Sequence, residues 1–353
     1  MARLNFAPFA LILLLASLAF FGPRGKAFNG PDLVRCAYEL AELDAPAADV
    51  LFIGSSRYGR GFDPGYMRQQ IKKETGKDLV IERVAMTFPR ITQLRPPVEN
   101  YLEHRGAPEI VFLQLMYNFK PERQRQWDIP VNPTRNVAYA NLDTLLEIRR
   151  NAKLNDFGTA LPRTLESGYL SLPALLLQKL EANIYAGMRY VPMKLKGALD
   201  KCTGDALHRQ SRPNWYFNNL HDDIEFKESE EKKLRREKMT LKADEYLAFS
   251  PSDPMRSFEV DQLRQMAEIL TAAGSKVVVV LLPVLGDTSI SQEEIAEIET
   301  AFPEYPLVHP YGLFDTEVGP ELAKSFADTT HASTYGALIY SRFFTSEIMK
   351  LTE

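Results

Sequence analysis

Two stretches of this sequence are apolar without a break: Val50-Leu51-Phe52-Ile53, and Val277-Val278-Val279-Val280-Leu281-Leu282 between Lys276 and Pro283. A strand with one wet face alternates apolar and polar residues, whereas a short run that is apolar throughout suits a strand buried on both faces. Leu79 to Ala85, Ile110 to Leu115 and Leu307 to His309 read as further strands. Helical segments separate them. Asp63-Pro64 opens one: the Asp caps free N–H groups, and Pro at the first helical position lacks the N–H that would be orphaned. That helix stops at Gly76, and another runs to His104-Arg105-Gly106. Phe258 to Ala273 is helical with Gly274 as its stop. Ser291-Gln292-Glu293-Glu294 is a capping box. Ser333 or Thr334 caps a closing helix that runs to about Lys350. Strands alternating with helices predict an α/β domain with a parallel sheet covered on both faces.

The 353 residues suffice for a substantial core, and 45% hydrophobic with 25% charged residues is an ordinary globular balance. A net charge of −4 argues against bulk electrostatic binding to nucleic acid. Arg3 precedes an apolar run from Phe6 to Phe21, followed by Gly22-Pro23-Arg24-Gly25-Lys26. Residues 1–26 therefore read as a signal peptide or N-terminal membrane anchor, which puts the rest of the chain outside the cytoplasmic membrane, anchored or released. The run is shorter than the ~20 residues of a comfortable spanning helix, and both fates stay open. Asp32 to Leu43 is a candidate short helix after it. Of the two cysteines, Cys36 and Cys202, either a disulfide or two unpaired small apolar residues is consistent with export. Neither has metal-ligand spacing to another Cys or a His, so no metal site and no cofactor is expected.

Residues 27–118 and 256–353 carry the strand–helix alternation. Residues 119–255 lack strand signals and read as a mostly helical insertion or cap, with a second independent domain as the competing view. Leu142 to Leu154 and Leu172 to Met188 are its candidate helices, and Glu228 to Lys238 is a mixed-charge helix with a solvated face. Within it, Trp215-Tyr216-Phe217 with Asn218 and Asn219 offers aromatic faces and amides of the kind that bind sugar rings, although a packing anchor is the simpler role.

Two motifs at opposite ends of the core complete one another. The first strand runs into Gly54-Ser55-Ser56-Arg57, which presents a serine hydroxyl at the carboxyl edge of the sheet, where open α/β folds bind ligands. Gly54 is expected to permit a tight turn there. Asp328-Thr329-Thr330-His331 supplies an imidazole with a carboxylate three residues upstream to orient it. Serine is a weak nucleophile without a base, and nucleophile, base and orienter are the parts of a serine acyl-transfer site. Arg57 suits an anionic group of a substrate, with a surface ion pair as its ordinary role.

Ile53-Gly54-Ser55-Ser56 resembles the first block of the SGNH (GDSL-type) hydrolase superfamily, with Ser55 where the family has Asp. Asp328-x-x-His331 before a C-terminal helix is similar to its last block. The resemblance implies a flavodoxin-like three-layer sheet, with Ser56 as nucleophile, His331 as base and Asp328 as its orienter. The middle blocks depart from the family. Ala85-Met86-Thr87-Phe88 lacks the Gly expected after the second strand, and Met116-Tyr117-Asn118 keeps only the Asn of the third block. By the match, the backbone N–H of Ser56 and the side chain of Asn118, with Thr87, hold the oxyanion. Export and the Gly-Ser-Ser-Arg variant are similar to features of proteins that modify envelope polysaccharides, such as alginate O-acetylation and teichoic acid D-alanyl-transfer proteins. The implied activity is that of an acyl esterase or O-acyltransferase on a periplasmic or otherwise extracytoplasmic glycan, with Arg57 and Trp215 toward the substrate. Partners would be an acylated small molecule or polysaccharide and a multi-pass membrane acyltransferase. Two other readings stand beside it: a lipid-directed esterase or thioesterase, and a non-catalytic assembly or glycan-binding protein on the same scaffold.

Overall fold

The computed structural model describes residues 40, 45–86, 91–115, 254–284, 290–313, 325–327 and 331–352, and all of them belong to one compact unit. Outside the described residues lie the leader (1–26), both cysteines, almost all of the Asp32–Leu43 helix, and the insertion except its last two residues. Those two belong to a described helix, so the helix expected from Phe258 begins at Pro254.

Among the described residues the sheet has five strands, all parallel, in the order β2-β1-β3-β4-β5. They are β1 (Val50–Ser55), β2 (Ile81–Met86), β3 (Ile110–Leu115), β4 (Lys276–Leu281) and the two-residue β5 (Leu307–Val308). Helices α1 (Ser56–Gly61) and α2 (Pro64–Thr75) follow β1, and α3 (Ile91–Arg105) links β2 to β3. Helix α4 (Pro254–Ala272) precedes β4, α5 (Gln292–Ala301) leads to β5, and α6 (Thr334–Thr352) closes the domain. The structure is thus an α/β fold.

The chain leaves β1 toward β2 on one side and then crosses to β3 on the other. The order therefore reverses between β1 and β3, and the carboxyl ends of the strands at such a switch point are where open α/β sheets bind ligands. Both faces of β1 are buried: Val50 and Phe52 on one, Leu51 and Ile53 on the other, each fully covered. This is the environment the unbroken apolar run requires, because successive strand side chains point to opposite faces.

On the Val50–Phe52 face, aromatic rings join four elements. Phe52 stacks on Phe112 of β3 with ring centres 4.7 Å apart, meets Tyr58 of α1 edge-on at 5.3 Å and Phe62 just beyond it at 4.4 Å, and meets Phe344 of α6 edge-on at 5.0 Å. These contacts seat α1 and α6 on the sheet directly below the carboxyl ends of β1 and β3. On the opposite side α3 and α4 pack on one another and onto the sheet.

The local signals act as their chemistry demands. Asp63 Oδ1 accepts from the N–H groups of Gly65 and Tyr66, and Gly76 ends α2 in the left-handed conformation at φ 75°. Ser291 and Glu294 close a reciprocal capping box. The second strand begins at Ile81 rather than Leu79. Its polar residues Glu82 and Arg83 are accommodated by partners elsewhere: Arg105 of α3 for the first, the carbonyls of Tyr58 and Phe62 for the second. The closing helix ends at Thr352. Among the described residues, no helix is long and apolar enough to cross a membrane.

Candidate active site

Ser56 is the first residue of α1 and follows directly on β1. Ser55 caps the helix, its Oγ accepting from the N–H of Arg57 at 3.2 Å. N–H groups of a first helical turn have no acceptor inside their helix, so the backbone around Ser56 presents donors as well as a hydroxyl.

His331 arrives from the far end of the chain. Phe326 and Ala332 form an antiparallel bridge. The N–H of Ala327 donates to the carbonyl of His331 at 2.8 Å, and the N–H of Ser333 donates to the carbonyl of Ser325 at 2.9 Å. Phe326 and Ala332 are both part of the core beneath. Ser333 then caps α6, with its Oγ accepting from the N–H of Gly336 at 3.1 Å. The imidazole is therefore held between a core-anchored bridge and a capped helix.

The two motifs meet. Ser56 Oγ and His331 Nε2 lie 2.8 Å apart across 275 residues of sequence, and only 4% and 7% of these residues are exposed. When the ring proton is on Nδ1, the serine hydroxyl donates to Nε2. That is the geometry in which an imidazole removes a proton from a serine as it attacks.

Of the other expected site residues, Asp328, Asn118, Thr87 and Trp215 lie outside the described residues. Arg57 is described, and its ordinary role as a surface ion pair is overturned. The residue is 7% exposed, and its Nη2 donates to the carbonyl of Leu282 at 2.6 Å and to that of Pro283. The clamp joins the serine turn to the carboxyl end of β4. The Arg57 charge also acts on three buried phenols, Tyr58, Tyr311 and Tyr340. Burial pushes all three well above the usual tyrosine range, and the guanidinium offsets part of that rise.

Gly54 has a different reason from the turn expected of it. It sits within β1, and its φ is not left-handed. A Cβ there would lie 2.8 Å from Gln114 Cβ and 2.9 Å from a ring carbon of Tyr58, and closer still to Gln114 Oε1. Glycine is needed for close approach.

Gln114 is the site feature that sequence reasoning passed over. It is fully buried at the end of β3. Its Oε1 accepts from the backbone N–H of Ser55 at 2.9 Å and from the Ser55 hydroxyl at 3.1 Å. The available signal was one amide inside an otherwise apolar strand, Ile110-Val111-Phe112-Leu113-Gln114-Leu115. Among the described residues no group of three or more His, Cys, Asp or Glu side chains could hold a metal ion.

No protein-family model matches this chain, and no curated protein matches it.

Proposed function

We propose that this protein is a serine-dependent acyl esterase or O-acyltransferase acting on a cell-envelope glycan, built on an SGNH-type, flavodoxin-like scaffold. The observation that carries the reading is the 2.8 Å hydrogen bond between Ser56 Oγ and His331 Nε2. Two further features support it. The strand order 2-1-3-4-5 is the flavodoxin-like one. The serine stands at the end of β1, at the point where the strand order reverses.

In this mechanism Ser56 Oγ attacks the acyl carbonyl while His331 Nε2 takes its proton. The carbonyl oxygen becomes an oxyanion, held by the N–H of Ser56 and by Asn118 and Thr87. One such donor is worth ~3 kcal/mol of barrier. The intermediate collapses, the leaving alcohol takes the proton from His331, and an acyl-serine remains. Water or a sugar hydroxyl then gives its proton to His331 and attacks the acyl carbon, and Ser56 recovers its proton as the ester bond breaks. Asp328 orients the ring and stabilises the imidazolium. The envelope location and the glycan acceptor rest on the Phe6–Phe21 run and the Gly-Ser-Ser-Arg variant.

A fluorophosphonate probe tests the chemistry. Wild type and Ser291→Ala should form a stoichiometric adduct, and Ser56→Ala should form none. Equal labelling of wild type and Ser56→Ala, or no labelling of either, ends the catalytic reading and leaves a binding protein.

A further inference from the structure

The odd residue of the sheet is Gln114. Each of the other five β3 residues is apolar and buried, and Gln114 shares the face of Ile110 and Phe112, against which Phe52 and the aromatic cluster pack. Burying an amide is unfavourable unless its polar atoms are satisfied, and native proteins rarely leave one half-made without a reason. Here the acceptor half is doubly used and the donor half is not. Oε1 takes both hydrogen-bonding groups of Ser55, while Nε2 is buried with no hydrogen-bond partner among the described residues. The neighbouring strand has made room for this arrangement, because only a glycine at position 54 leaves space for the Gln114 side chain.

The residue so gripped is the helix cap immediately before Ser56. Ser55 Oγ donates to Gln114 and accepts from the N–H of Arg57, so one hydroxyl couples β3 to the first turn of α1. A glutamine oxygen thereby sets where β1 ends and where the Ser56 side chain emerges. Resting on the serine–histidine reading above, we infer that Gln114 is a positioning residue for the nucleophile. It holds the Ser55-Ser56 turn through Oε1, so that Ser56 Oγ stays within reach of His331. The amide itself need touch neither substrate nor reacting atoms. Aligned geometry of this kind is where remote residues influence rate, since a displacement of about 1 Å can cost roughly a hundredfold.

The test compares wild type, Gln114→Met, Gln114→Glu and Ser55→Ala with two probes, a fluorophosphonate and p-nitrophenyl acetate. Methionine fills the same space without the acceptor, and a glutamic acid side chain, kept neutral by burial, retains a carbonyl acceptor in place. Gln114→Met should lower the labelling rate and the kcat for p-nitrophenyl acetate ten- to a hundredfold, with KM within twofold. Gln114→Glu should stay within about threefold of wild type, and Ser55→Ala should fall between the two. The nitrogen NMR shift of His331 Nε2, which reports its hydrogen bond with Ser56, provides a readout independent of turnover: it should move in Gln114→Met and return in Gln114→Glu. The inference is overturned if folded Gln114→Met keeps its labelling rate and its His331 Nε2 shift. Should wild type itself fail to label, the proposed function falls and the His331 Nε2 shift alone decides the positioning role. Should Gln114→Met not fold, Ser55→Ala decides it by the same two readouts.

Discussion

Gly336, in the first turn of α6, lies against the backbone of Ser325, so closely that a Cβ on the glycine would come 2.9 Å from the Ser325 carbonyl carbon and nearer still to its oxygen. The contact is between two pieces of main chain, and neither can rotate away. It sets the distance between the closing helix and the bridge that carries His331, since the same Ser325 carbonyl accepts from Ser333 N–H.

Gly336→Ala should therefore act on both stability and chemistry. Forcing a methyl into packed backbone costs about 1–3 kcal/mol, and the displaced bridge takes His331 with it. Urea unfolding should show that loss, and the fluorophosphonate labelling rate should fall at least tenfold. Gly61→Ala is the control: a Cβ at Gly61 meets nothing within 4 Å, so its stability should stay within about 0.5 kcal/mol of wild type.

Arg57 ties the serine turn to β4 through the carbonyls of Leu282 and Pro283. Removing a donor from buried carbonyls costs about 1–3 kcal/mol. Arg57→Met should lower the urea midpoint accordingly and slow labelling of Ser56. Arg57→Lys should recover only part of the loss: both bonds leave one nitrogen, Nη2, and an ammonium on a shorter stem replaces its donors without its reach. Equal midpoints for wild type and Arg57→Met would show that the clamp contributes nothing.

A second buried cation anchors the start of the domain. Arg105 forms a bidentate pair with Glu82, at 2.7 and 3.0 Å, and donates to the carbonyls of Leu40, Ala45 and Pro46. Its guanidinium also lies 4.6 Å over the ring of Tyr101, whose hydroxyl donates to Glu82 and accepts from Ala48 N–H. Glu82→Leu leaves the guanidinium buried without its carboxylate, a change that typically costs 3–5 kcal/mol, as an order of magnitude. Denaturant titration measures it, and limited proteolysis should show earlier cleavage between residues 40 and 48.

Alkaline pH should unfold the protein cooperatively. Burial raises the phenols of Tyr58, Tyr101, Tyr311 and Tyr340 above their usual range. A folded-state pKa above the unfolded one contributes stability that is complete below the unfolded value, about 10 for tyrosine, and is lost as pH rises beyond it. Arg83 opposes this. Burial lowers it to about 10, so above that pH the unfolded chain holds the extra proton and stability gains from this one group. Four phenols outweigh one guanidinium. Melting temperatures should fall steadily above about pH 10, and absorbance at 295 nm should show a group of tyrosines ionising only with unfolding. Smooth titration of all 15 tyrosines without unfolding would contradict this.

The strands and caps were legible because they are short-range. Val50 to Ile53 and Val277 to Leu282 state their burial in their own side chains, and Asp63-Pro64, Ser291-x-x-Glu294, Gly76 and Gly274 act on atoms a few residues away. Ser56 and His331 were legible as candidates for the same reason: each sits in a motif only a few residues long. The second strand reads from Leu79 because Leu79-Val80 extends its apolar run, whereas its ladder with β1 begins at Ile81; its charges, Glu82 and Arg83, look out of place until their partners at Arg105, Tyr58 and Phe62 are seen.

By itself, then, the sequence determined the α/β alternation, where most elements start and stop, and which residue types stand at the ends of β1 and before α6. Only the tertiary structure decided which polar groups meet. Strand order lays β1 beside β3, so Gln114 reaches Ser55 and position 54 must be glycine; it lays β4 next along, so Arg57 is buried against Leu282 and Pro283 rather than paired at the surface. Periodicity records whether a side chain is covered. It carries no information about the identity of the covering partner when that partner lies tens to hundreds of residues away, because that depends on which strands become neighbours.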